Sequence, residues 1–360
     1  MAKAAAMLAL ASVASMALAS PILETGRDDR FTFYPLDTPL SGPCDLSVGP
    51  DGALWGESIL VNHIFRIDPS TGAVEEYPIP FTTPLSNETL LGVSSPIQDR
   101  TALSCAIREG RDGNLYASNG LRNQLVRINP STKDIKVFEI EPSNLNDLYS
   151  AADGIYVTQT TGNAFSFFDF SSETFTTYAV PTPLSLPLGL FVASDGIVYI
   201  AEMLSNKILT FDPTTKAMNE YALPEPAQFP TVIRAEQDGY VYFALFTGNG
   251  IGRINMQSHD IEIYHTNEPG GIGAEDTIDQ YGGVWYSFFD VDALARLDTA
   301  TFEFSYVDFP AIGNDLGLDG ALDIVPPFVD VAVNYGPGDA IYFTDVQGNR
   351  VGRYDISGLY

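Results

Sequence analysis

The apolar and polar positions of this chain fall into one pattern, repeated seven times. A glycine-containing turn runs into an aromatic strand, and an apolar strand ending in a polar turn follows. The clearest copy is Asp51-Gly52-Ala53-Leu54-Trp55, then Ile64-Phe65-Arg66-Ile67-Asp68-Pro69-Ser70-Thr71-Gly72, then Val74-Glu75-Glu76-Tyr77-Pro78. The aromatic anchors are Trp55, Tyr116, Tyr156, Tyr199, Tyr242, Trp285 and Tyr342, and the middle ones are 43 residues apart. A repeat of roughly 40–45 residues carrying about four short strands predicts one blade of a β-propeller. Seven copies predict an all-β, seven-bladed ring around a central channel.

Within each blade the pattern predicts an inner strand, the glycine turn, the aromatic strand, the apolar strand (Ile64–Ile67 to Val351–Tyr354) and an outer strand. Blade seven lacks its outer strand because the chain stops soon after Tyr354. Residues Arg30–Leu36 resemble Glu75–Ile79, so the N-terminal strand is expected to complete that blade and cover an edge otherwise open. Two anchor spacings are stretched, to 61 residues after Trp55 and 57 after Trp285, by insertions at Phe81–Arg100 and Ala311–Pro327. Residues 30–360 are thus expected to form one domain.

The first twenty residues differ. A basic start at Met1-Ala2-Lys3, an apolar run to Leu18 and the Ala17-Leu18-Ala19 cleavage pattern predict a signal peptide over residues 1–20, followed by a linker at 21–29. A secreted chain is therefore expected. The one glycosylation sequon, Asn87-Glu88-Thr89, lies in the first insertion. A net charge of −28 repels phosphate backbones and anionic membranes, so neither nucleic acid nor membrane is an expected partner. A small molecule and a monomeric ring are expected instead.

The series Gly42-Pro43-Cys44-Asp45-Leu46, Asp51-Gly52-Ala53-Leu54-Trp55 and Glu76-Tyr77-Pro78-Ile79-Pro80 resembles the streptogramin B lyase (virginiamycin B lyase) family of propellers, and more distantly gluconolactonase-like propellers. The resemblance covers residues 30–360. It implies a lyase that opens a cyclic depsipeptide by elimination at an ester. It also implies a catalytic His after the Pro of an inner strand, and Mg held by a Glu two residues before that His and a Glu three residues after the aromatic anchor.

This chain departs from that pattern. The His position is filled by Cys44, Cys105, Asn146, Leu188, Thr231, about Ala274, and Asp330 or Val331. The only histidines, His63, His259 and His265, fall in third- or outer-strand contexts. Of the positions three after each anchor, only Glu202 and Asp345 are carboxylates, and no blade keeps both halves of the metal pair.

Other acidic residues fall on or beside inner strands: Asp45, Asp147, Glu275, Asp276, Asp279 and Asp330. Glu202 and Asp345 are accordingly expected to face the channel as catalytic groups and as ligands of a divalent cation (Mg or Ca), with Asp330, Glu275 or Asp276 within reach. The bland alternative is that these carboxylates are solvated or paired with arginine. The recurring Arg66, Arg127, Arg253, Arg296 and Arg353 are expected to bond turn carbonyls or carboxylates.

The function expected is a lyase or isomerase step on a small cyclic ester, lactone or related natural product. The alternatives are a metal-dependent lactone hydrolase and a non-catalytic binding propeller. Cys44 and Cys105 lie at the same position of adjacent inner strands, seven residues before Asp51 and Asp112. A disulfide is expected between them, against the rival of a reactive thiol at the histidine position.

Overall fold

A computed structural model of the chain describes residues 30–80, 105–141, 144–267, 271–288, 293–310 and 330–360. The expected signal peptide, linker and sequon at Asn87 lie outside the described residues, as do both insertions.

Seven four-stranded antiparallel sheets make the blades. The inner strands are Pro43–Val48, Ile107–Glu109, Leu145–Ser150, Pro187–Val192, Pro230–Gln237, Gly273–Ile278 and Asp330–Gly336. The second strands, which carry the aromatic anchors, are Leu54–Ser58, Leu115–Asn119, Gly154–Gln159, Val198–Glu202, Tyr240–Leu245, Gly283–Phe288 and Ala340–Asp345. Third strands run from His63–Ile67 to Arg350–Asp355, one or two residues longer than the apolar runs suggest.

Blade seven closes as expected. Phe31–Pro35 pairs with Arg350–Asp355, placing an N-terminal strand outside three C-terminal ones. An apolar cluster of Tyr34, Leu46, Leu54, Phe65, Tyr342 and Val351 then joins blade seven to blade one. Each join between neighbouring blades repeats this arrangement: Trp55 and Ile64 of blade one, for example, pack on Ile107, Leu115 and Val126 of blade two.

The turn from inner to second strand explains the Asp-Gly signature. Gly52 has φ of +74°, in the region where a Cβ is disfavoured. Asp51 accepts from the Trp55 indole N–H at 2.9 Å, so the one polar atom of a buried ring is satisfied. Arg66 pairs with the same Asp51 at 2.8 Å, and Arg296 repeats this with Asp279 at 2.7 Å. Arg127 pairs with Glu173, Arg253 with Glu262, and Arg353 donates to the Gly338 carbonyl. The repeated arginines therefore fasten the ring, as expected. Asp279 is a correction to the acidic channel set: it sits in the turn, held by Trp285 and Arg296.

Cys44 and Cys105 form the expected disulfide, with Cα atoms 5.2 Å apart. It ties blade one to blade two at the starts of their inner strands, and neither thiol is free. Closing a loop of 61 residues is worth ~4 kcal/mol on the chain-entropy account.

Candidate functional site

Strand register gives the ring two faces. Each inner strand begins opposite the end of its second strand: Pro43 pairs with Ser58, Pro187 with Glu202, Gly273 with Phe288 and Asp330 with Asp345. Glu202 and Asp345 therefore stand at equivalent positions, on the face where inner strands start. The residue after the paired one is Cys44, Leu188, Ala274 and Val331 in these blades. That resolves the two ambiguous blades in favour of Ala274 and Val331, and no histidine occupies the position.

The two carboxylates sit in blades four and seven, each with its own partners. Glu202 is fully buried. Its Oε2 accepts from the Ser205 hydroxyl at 2.6 Å, and its Oε1 has no hydrogen-bond partner. Burial pushes its pKa up to about 7; the Ser205 bond opposes the rise, the nearby Glu220 adds to it and Lys207 opposes it. Lys207 is itself held by Glu220 and the Thr182 hydroxyl, both at 2.7 Å. Glu220 sits low, at about 2, because these bonds outweigh its burial. The cation is thus committed to Glu220, and Glu202 remains a carboxyl poised near neutrality.

Asp345 is equally buried but neutralised. Arg350 Nε lies 2.7 Å from Oδ2, and the Gly348 N–H donates to Oδ1 at 2.7 Å. Burial raises its pKa, and Arg350 pulls it back. Asp330 pairs with Asp345 through the backbone of the inner strand.

Glu275 and Asp276 lie further along their strand and belong to a different assembly. Asp45 accepts from Leu46 N–H of its own blade and Ile107 N–H of the next, at 2.7 and 2.8 Å. Asp147 does the same for Leu148 and Leu190, both at 2.8 Å. These aspartates staple neighbouring inner strands through N–H groups that no sheet ladder reaches. Arg108 then binds Asp45 at 2.7 Å and reaches across the channel to Glu275 at 2.8 Å. Arg234 binds Asp147 through Nη1 at 2.8 Å and approaches Glu275 at 3.0 Å.

This network fills the middle of the channel. Desolvation, and then the charge of Asp45, push Glu275 up to about 8, against the pull of the two arginines. Asp276 is raised well above the usual carboxylate range by burial, and its Oδ1 is unpartnered. Arg108 and Arg234 thus share three carboxyl partners from three other blades, Asp45, Asp147 and Glu275. The sequence reading missed these arginines. Their signal was an Arg inside an inner strand, three residues after the histidine position in each case.

Oxygen ligands for Mg or Ca must converge from several groups. Among the described residues no cluster of three or more His, Cys, Asp or Glu side chains is arranged to hold a metal ion. Asp345 is already bonded to Arg350. The described donor set does not fit the family's metal pair.

Exposed leucines lie on the turn after Glu202 and on the loop bonded to it. The turn after its strand is bonded to the preceding inter-blade loop, Met203 N–H to the Leu186 carbonyl and Leu204 N–H to that of Ser185. Leu184 and Leu204, on these two loops, are 83% and 54% exposed. A buried carboxyl raised to about 7 therefore lies beside a hydroxyl, on a turn that exposes Leu204 and is bonded to the loop of Leu184.

Comparison with curated protein sequences gives no significant match. Among solved structures, a streptogramin B lyase is similar, with TM-score 0.76, 18% identity and coverage of 90% of this chain and 96% of that one. Virginiamycin B lyase from Staphylococcus aureus is similar at TM-score 0.75 and 20% identity, covering 90% and 98%. A catalytically inactive form of the Staphylococcus aureus enzyme with quinupristin matches at TM-score 0.74 and 19% identity, covering the same shares. At these identities the likeness establishes the shared propeller. The profile of the virginiamycin B lyase family matches residues 93–308, more than half of the chain, so this protein belongs to the virginiamycin B lyase family.

Proposed function

We propose that this protein is a secreted lyase that opens a small, apolar cyclic ester, lactone or related natural product by elimination, at the face carrying Glu202. Family membership supports lyase chemistry broadly. The observation that carries the site is the Glu202 carboxyl: buried, raised to about 7, hydrogen-bonded to Ser205 and next to the turn and loop that expose Leu204 and Leu184. A general base works best when its pKa lies near the operating pH. In the proposed step the proton on the carbon beside a substrate carbonyl passes to Ser205 Oγ as the hydroxyl proton passes to Glu202. The C–H electrons form the new C=C bond, and the ester C–O bond breaks to release a carboxylate. Glu202 then returns its proton through Ser205 to solvent. The disulfide supports the secretory route.

Mass spectrometry on a panel of cyclic depsipeptides and lactones tests this directly. Elimination opens the ring with no change of mass, whereas hydrolysis adds one water. Glu202→Gln should lower the rate by about 100-fold or more. Ring opening that persists in this variant removes Glu202 from the reaction. A second reading, a non-catalytic binding propeller, is favoured by the missing histidine in all seven blades. Ligand binding by the wild type without any ring opening would establish it.

A further inference from the structure

The arginine–carboxylate network divides the channel, and its other end holds a depression unrelated to Glu202. Inner strands one to three end there, around a cavity of about 370 Å³. Its polar lining comprises Ser47, Arg108, Glu109, Arg111, Tyr149 and Ser150. That volume falls in the range of small-molecule sites.

Its lining sets this mouth apart in a chain with 46 acidic and 18 basic residues. Arg111 is exposed and makes no ion pair among the described residues. Arg108, which closes the floor, is committed to Asp45 and Glu275. The Ser47 and Ser150 hydroxyls donate only over long distances, 3.5 and 3.4 Å, to neighbouring carbonyls, and Ser150 Oγ accepts from the Arg111 backbone N–H at 3.1 Å, so both hydroxyl protons can turn to a ligand. Tyr149 also lines the mouth, its ring packed on Phe191 with centroids 4.7 Å apart; burial raises its pKa, against the pull of Arg234, Arg108 and Arg111. Glu109, the carboxylate of the lining, is exposed at its rim.

We propose that this mouth is a second ligand site, for a compact hydroxylated carboxylic acid of the sugar-acid class. One uncommitted guanidinium beside three hydroxyls matches a single negative charge with several hydroxyl groups, rather than a dianion such as phosphate. The ligand carboxylate sits on Arg111, in a fork that matches its two oxygens. Its hydroxyls meet Ser47, Tyr149 and Ser150.

Calorimetric titration of the full protein with D-gluconate tests the assignment. Saturable binding is expected, weakened roughly 10-fold or more by Arg111→Ala. Tyr149→Phe should weaken it less. Glu202→Gln, on the opposite face, should leave it unchanged, so loss of the lyase reading and loss of this site are separable. No saturable binding to the wild type, or equal binding by Arg111→Ala, would overturn the site. Binding lost in Glu202→Gln would move the ligand to the other face. Inorganic phosphate binding as tightly as gluconate, with the same Arg111 dependence, would overturn the ligand class.

Discussion

Glu202 and Asp345 occupy one position of the repeat, the last residue of a second strand, yet the ring treats them differently. In blade four the cation next across the sheet is Lys207; in blade seven it is Arg350. Arg350 turns back onto its own blade's Asp345 at 2.7 Å. Lys207 reaches outward instead, to Glu220 on the outer strand at 2.7 Å, and leaves Glu202 to a serine. Both carboxyls are fully buried, so burial does not distinguish them. What differs is where the neighbouring cation finds its partner. An acidic outer-strand residue two places before that cation's cross-strand partner, Glu220 before Ala222, draws the lysine away and leaves the buried carboxyl available.

The largest expected effect lies in blade seven. Asp345→Asn leaves Arg350 beside a neutral amide in a nearly dry setting and should cost about 3 kcal/mol, read by urea unfolding, with turnover per folded molecule unchanged. A cost below about 1 kcal/mol would mean that Asp345 is no more structural than Glu202. Next comes the pH dependence set by blade four. A carboxyl raised to about 7 in the fold binds a proton that the unfolded chain has already released above its ordinary value near 4.5. Stability from this group is therefore present at low pH and lost as pH rises from about 4.5 to about 7. Glu202→Gln should flatten that part of the profile and change stability at pH 5 little; an unaltered slope across this window would place the titration elsewhere. The smallest effect is expected from Lys207→Met. Lys207 lowers the Glu202 pKa, so its removal should move the acid–base limb of any ring-opening activity upward in pH. A downward movement would overturn the assignment of Lys207 as the group that lowers the Glu202 pKa.

The fate of the acidic residues separates what was legible from what was not. The turn at Asp51 was readable because its partners, Trp55 and Arg66, recur at fixed offsets within one repeat. The disulfide was readable for a similar reason: equivalent positions on adjacent inner strands are brought together by the ring itself. Asp279 looked like a channel residue, because its blade is offset enough in sequence to hide the turn that Asp51 displays openly. Arg108 and Arg234 were invisible as a pair: their shared partner, Glu275, is 167 residues from the former in sequence.

Local repetition, then, determined the blade, the count of seven, the turn chemistry and the closure by residues 31–35, since each rests on short-range periodicity and on the need to cover a strand edge. Only closing the ring decided which charges meet. Asp45, Asp147 and Glu275 become the centre of the protein because inner strands from blades far apart in sequence converge on one axis. Whether Glu202 keeps its proton near neutrality depends on burial and on the committed cation beside it, and a linear pattern of residue types encodes neither the loss of water nor the direction in which a lysine points.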